Sequence, residues 1–265
     1  MTQKTGILYG IGVGPGDPDL ITLKAVKILR QVDIVFAAAS TKNDHSLAVN
    51  IAREHIPDRA PVVRLKFPMT RDKSETRKAW KAHSQTIIAE LEKGRNVAFL
   101  TLGDSMTYST FGYILKYVQT IAPHLEVRTV PGITSYQAAA ARLNTPLVEG
   151  EESLMVVSGA QGGHRLRELH AKPENVVFLK AYRNVTDIKA AIDETGNYPC
   201  CVGVKSCGHP DEEIINDIEE LGRRKPDYWT LILTKHANNN GTMKDASTTT
   251  RKEGGLDPRP EAGKT

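Results

Sequence analysis

Apolar positions in the first half of the chain fall into short runs, separated by longer stretches with helical period. Runs at 7–11, 34–36, 62–65, 97–101 and 127–130 have the length of buried strands. Between them, 20–31, 46–54, 75–93, 110–121 and 135–143 repeat apolar residues every three or four positions. Strict strand–helix alternation predicts a mainly parallel sheet covered on both faces, with ligand loops gathered at the strand ends. Residues 37–45 have no period and are read as a loop over that edge.

Around 146–152 the pattern breaks, where Gly150 stands among Glu149, Glu151 and Glu152. Beyond the break, strands are expected at 154–157, 176–179, 201–204 and 229–233. Helices are expected at 163–170, 185–194 and 212–221. The sequence therefore predicts two α/β domains, 1–148 and a smaller 149–236. A disordered tail is expected over 237–265, where almost nothing can be buried.

Composition narrows the classes. No run approaches the roughly 20 apolar residues of a membrane span, and residues 1–5 lack the apolar core of a signal peptide, so a cytoplasmic protein without a membrane partner is expected. Net charge is only +4, but Arg64, Lys66, Arg71, Lys73, Arg77, Lys78 and Lys81 crowd one segment against Asp72 and Glu75. That segment reads either as a solvated helix face or as a mouth for an acidic substrate. A nucleic-acid-binding protein is the competing class; the segment lacks interleaved aromatics and no recognised binding motif is present, so no nucleic-acid partner is expected. Cys200, Cys201, Cys207 and His209 lack metal-ligand spacing; the cysteines read as buried thiols, with no metal site.

Three glycine-bearing bends carry the candidate chemistry. The first, from Gly10 through Gly12, Gly14, Pro15, Gly16 and Asp17 to Pro18, follows a strand and precedes a helix. It is not a dinucleotide fingerprint, because the third glycine position falls on Pro15 or on Asp17. The second, Leu102-Gly103-Asp104-Ser105-Met106-Thr107-Tyr108, also stands between strand and helix and offers a carboxylate and exposed amides to a polar ligand. The third, Pro131-Gly132-Ile133-Thr134-Ser135, opens a helix rich in alanine, whose free N-terminal amides would suit an anionic or polar group.

In this order, the three strings resemble the tetrapyrrole methylases, which transfer a methyl group from S-adenosyl-L-methionine (SAM) and release S-adenosyl-L-homocysteine. The resemblance spans roughly residues 6–235 and departs from the family pattern at Ser105, where a proline is usual. It implies the tetrapyrrole methylase fold: two α/β domains with the cofactor site in the cleft between them, usually as a homodimer. It implies cofactor contacts from Pro15, Leu102, Gly103, Asp104, Thr107, Thr134, Ser135, Lys180 and Thr230. Asp104 and Tyr108 are the candidates to act beside the reacting carbon. Gly14, Arg64, Lys66, Arg71 and Arg77 are the candidates to hold the tetrapyrrole. The segment Phe67-Pro68-Met69, Trp80 and the run from Tyr108 to Tyr113 resemble the branch that methylates the meso carbon between rings A and D of a cobalamin precursor. Uroporphyrinogen methylation and diphthamide-route protein methylation are the alternatives within the family.

Overall fold

The computed structural model describes residues 4–40, 46–68, 70, 72–196 and 198–236. The first half forms β1 (Ile7–Gly12), α1 (Leu23–Leu29), β2 (Ile34–Ser40), α2 (Leu47–Ala52), β3 (Val62–Phe67), α3 (Lys73–Glu92), β4 (Val97–Thr101), α4 (Phe111–Ile121), β5 (Glu126–Val130) and α5 (Ser135–Arg142). The second half adds β6 (Leu154–Ser158), α6 (His164–Arg167), β7 (Asn175–Leu179), α7 (Val185–Thr195), β8 (Cys200–Lys205), β9 (Glu213–Ile215), α8 (Ile218–Arg223) and β10 (Thr230–Lys235).

The first sheet is entirely parallel, in the order β3-β2-β4-β1-β5. Side chains alternate along each strand, so consecutive residues feed two separate cores. Val35, Ala37, Ala98 and Leu100 pack on one face with Leu29 and Val49. Phe36, Val97 and Phe99 pack on the other with Ile87, Leu91, Phe111 and Ile114. Burial on both faces is why these strands read as continuous apolar runs.

The loop expected over residues 37–45 fails in its first part. Residues 37–40 continue β2, because Ala37, Ala38, Ala39 and Ser40 pair with Arg64 to Phe67; small alanines gave no strand signal by themselves. Residues 41–45 lie outside the described residues, as do Met69, Arg71 and the tail expected over 237–265.

The second sheet runs β6-β7-β10-β8-β9 and is mixed, since only β6 and β7 pair in parallel. Within the helix expected at 212–221, residues 213–215 are instead the edge strand β9, and the helix begins only at Ile218. Cross-strand pairing of Ile214 and Ile215 with β8 outweighs local propensity there. The helix expected at 163–170 is only α6.

α5 does not serve the sheet from which it emerges. Its Ala138 and Ala139 pack with Val177, Val202, Val204, Leu231 and Leu233, which all belong to the second sheet. Small side chains allow this close approach, and the helix joins the two halves.

Candidate active site

β1, β4 and β5 are neighbours in the parallel sheet, so their following bends emerge side by side at one edge. Main-chain bonds tie the first two bends together. The Gly14 amide donates to the Gly103 carbonyl (3.2 Å), and the Gly103 amide donates back to the Gly14 carbonyl (2.7 Å). Asp104 ties the second bend to the third. Its Oδ2 accepts from the Gly132 amide (3.0 Å), while Oδ1 accepts from the Met106 amide (2.8 Å) and the Thr107 hydroxyl (3.2 Å). Ser105, buried at the family's proline position, donates its hydroxyl to the Val130 carbonyl at the end of β5. A side-chain bond thus replaces the ring as the fixing element there.

Glycine is required where these bends cross. A Cβ built on Gly132 would lie 2.2 Å from the Gly103 carbonyl oxygen and 2.8 Å from the Gly12 Cα. The third bend then enters α5 through a capping box: Thr134 Oγ1 accepts from the Gln137 amide, and Gln137 Oε1 accepts from the Thr134 amide. The helix end expected to offer free amides is therefore partly satisfied by its own chain. Thr134 is buried and Ser135 half-buried beside it.

The second half closes over this edge at two points. Gly16 lies flat on the turn Cys207-Gly208-His209, so that a Cβ there would be 2.7 Å from the Cys207 carbonyl oxygen. Glu212 anchors that turn by accepting from the Gly208 amide (2.8 Å), and its other oxygen pairs with Arg142 at the end of α5 (2.7 Å). His209 Nε2 is buried there with no hydrogen-bond partner. Further along, the Tyr108 hydroxyl donates to the Val156 carbonyl of β6 (3.3 Å), and the Lys180 ammonium lies 5.8 Å from the Tyr108 ring centroid. Both residues have left-handed backbone, with φ of 50° and 58°. Such conformations cost energy in residues with a side chain and collect at ligand-binding places. Thr230 neighbours Lys180, since the Ala181 amide donates to its carbonyl, and its hydroxyl donates to the Asp227 carbonyl (2.7 Å).

The structure thus brings Gly14, Pro15, Leu102, Gly103, Asp104, Thr107, Thr134 and Ser135 to one edge, from which Tyr108 reaches across toward Lys180 and Thr230 on the facing half. Arg64, Lys66 and Arg77 are not in this group. They belong to β3 and α3, and β3 lies two strands from β4, about 10 Å away at ordinary strand spacing. Sequence reasoning did not connect His209 with the first bend. The string Ser206-Cys207-Gly208-His209-Pro210 reads as a turn, but nothing local says that the turn meets Gly16. The buried-thiol reading holds for Cys207, while Cys200 and Cys201 are half-buried; burial pushes Cys201 and Cys207 up to about 12, the latter helped by Glu212. Thiols held this high are protonated at neutral pH and poorly nucleophilic.

Three glycine bends tied together at the edge of a parallel sheet, and capped by a second, mixed sheet, define a two-sheet α/β protein. The chain belongs to the Tetrapyrrole (Corrin/Porphyrin) Methylases, a family matched over residues 7–222. It is similar to the cobalt-precorrin-2 C(20)-methyltransferase of Salmonella typhimurium, 34% identical over 86% of this chain and 95% of the relative. It is also similar to the probable cobalt-precorrin-2 C(20)-methyltransferase of Methanocaldococcus jannaschii, 31% identical over 89% and 98%. Among solved structures, uroporphyrin-III C-methyltransferase from Thermus thermophilus complexed with S-adenosylhomocysteine shares the fold. Its TM-score is 0.62 at 23% identity, covering 87% of this chain and 92% of the other.

Proposed function

We propose that this protein is a SAM-dependent C-methyltransferase that methylates carbon 20 of precorrin-2, in its cobalt-loaded form, during cobalamin biosynthesis. The observation that carries the reading is the tie between Gly14, Gly103, Asp104 and Gly132, which fixes three bends as one binding edge. The residues at that edge fit SAM. The donor set there is hydroxyl, main chain and one carboxylate, which suits a zwitterion bearing a positive sulfur. The unsatisfied His209 nitrogen beside Gly16 is a polar group still lacking a partner. The names of the two relatives favour the cobalt-loaded acceptor.

When bound, SAM supplies a methyl group already activated by a sulfonium. The protein's main task is then alignment, which can account for several kcal/mol of barrier lowering. Pro15, Leu102, Gly103, Thr107, Thr134, Ser135 and Thr230 would hold the cofactor, and Lys180 would close its far side. Asp104 already accepts three hydrogen bonds, which suits it to fixing the bends rather than to removing a proton. Tyr108 reaches across both halves and would stand beside the reacting carbon. That carbon is enamine-like, so attack needs no strong base, and its proton can leave to solvent or by way of the phenol. Gly14, Arg64, Lys66 and Arg77 would face the acceptor, with arginine able to grip carboxylates through paired bonds; Arg71, outside the described residues, would join them. A cytoplasmic homodimer completes the reading, and sedimentation equilibrium checks the dimer.

The test is anaerobic incubation with precorrin-2 and methyl-labelled SAM, with and without cobalt. Label at carbon 20, assigned by NMR, is expected, and faster with cobalt. Label on a pyrrole carbon would point to the uroporphyrinogen reaction, and no transfer would defeat the proposal.

A further inference from the structure

α3 carries more aromatic and positive surface than its core requires. Its C-terminal half buries Ser84, Ile87, Ile88 and Leu91. One turn before Ser84 the same face presents Trp80, which stacks on Tyr113 of α4 with ring centroids 3.8 Å apart and planes 7° from parallel. Aromatic pairs that merely fill cores favour edge-on or offset contacts at wider spacing. Here Tyr113 is 49% exposed and Trp80 half-buried, so the stack lies at the surface.

The charge around it is equally unbalanced. Arg77 lies three residues before Trp80 and Lys116 three residues after Tyr113, the spacing that makes helix positions neighbours. Within residues 73–81 the acidic count is one, Glu75, against Lys73, Arg77, Lys78 and Lys81. No carboxylate among the described residues pairs with Arg64, Arg77, Lys81 or Lys116, although Arg77 donates to the Lys73 carbonyl. By contrast, Arg142, Arg167, Lys189, Arg224 and Lys235 each meet a carboxylate. Unneutralised like charges repel one another, and such a cluster raises the local concentration of anions.

We propose that the Trp80–Tyr113 stack is the platform for the flat face of a conjugated ring bearing carboxylates on its rim, with Arg77 and Lys116 holding rim groups. This deepens the proposed function and rests on it for the identity of the ring. α3 follows β3 and α4 follows β4, so both helices start from the edge that carries the glycine bends. Tyr113 is five residues beyond Tyr108, on the first turn of α4.

Uroporphyrin I, a planar octacarboxylate, is a stable probe. Its binding is followed by Soret absorbance and that of S-adenosylhomocysteine by calorimetry, in the full chain and in Tyr113→Leu, Tyr113→Trp and Arg77→Gln. Tyr113→Leu should weaken uroporphyrin about tenfold, near 1.4 kcal/mol, and leave S-adenosylhomocysteine affinity and thermal midpoint unchanged. Tyr113→Trp should restore the affinity, and Arg77→Gln should flatten its salt dependence. Equal uroporphyrin affinity in Tyr113→Leu overturns the platform. So does a single-stranded RNA that binds with the same dependence on Tyr113. A wild-type chain that binds S-adenosylhomocysteine but not uroporphyrin overturns the platform alone; one that binds neither overturns the proposed function as well.

Discussion

At Asp104 a single carboxylate accepts from two bends of the chain at once, and both of its oxygens are in use. Asparagine keeps the shape but offers one acceptor, and its amide group would confront the Gly132 or the Met106 main-chain donor. Asp104→Asn should therefore cost about 1–2 kcal/mol, a partly exposed site giving less than a buried one. It should also weaken S-adenosylhomocysteine about tenfold. Urea denaturation and calorimetry read the two effects, and loss of stability without loss of binding would detach Asp104 from the site. His209 makes the opposite case. Its buried Nε2 has no partner, so the free protein gains nothing from that polarity. His209→Leu should leave the thermal midpoint of the free protein unchanged or raised, while the stabilisation produced by added S-adenosylhomocysteine falls. A plain drop in the free midpoint would make His209 structural. The string around Asp104 announced a ligand loop in the sequence. Nothing around His209 did, because its significance lies in contact with Gly16, almost two hundred positions earlier.

At the scale of elements, the sequence was most legible where burial is two-sided. β2 and β4 read as apolar runs because both faces are buried, and α3 and α4 as periodic stretches because one face of each meets a core. β9 was illegible, since a three-residue edge strand beside a helix has no period of its own. α5 was legible as a helix but not in its docking, since alanines fit any close neighbour. Its capping box is a local device with a local cost, so Thr134→Ala should remove about 1 kcal/mol, measured by urea denaturation.

The tie between β6 and β7 gives a pH prediction. Ser153 donates both its amide and its hydroxyl to the Glu174 carboxylate, 2.8 and 2.5 Å away. These bonds hold Glu174 down at about 2, from an ordinary 4.5. A lowered acid contributes stability above its unfolded pKa and loses it as pH falls through the folded one. Stability should thus fall from about pH 4.5 toward 2, and Glu174→Gln should flatten that part of the profile in denaturant titrations.

For the whole molecule, the two sheets meet through α5, through Tyr108 on Val156, and through Gly16 on the turn at residues 207–209. The last contact is the most rigid, since backbone faces backbone. Gly16→Ala must push the halves apart there, because the Cβ would sit 2.7 Å from the Cys207 carbonyl. S-adenosylhomocysteine should bind at least tenfold more weakly, with uroporphyrin affinity far less changed. Equal loss of both ligands would mean that the substitution unfolds the site rather than opening it. Among the described residues no helix is long and apolar enough to cross a membrane.

Taken alone, the sequence determined the parallel first sheet, the three bends and their kinship to the methylases. Each of these depends on residues near one another in the chain: side-chain alternation, glycine spacing, a cap before a helix. Only the tertiary structure decided that Asp104 holds bends together, that α5 belongs to the second sheet's core and that His209 stands behind Gly16. It also decided that Trp80 and Tyr113 stack at the surface, among cations that no carboxylate of the described residues meets. Those facts depend on distances between elements, which are fixed by packing after local propensities have been spent and leave no periodic trace in the chain.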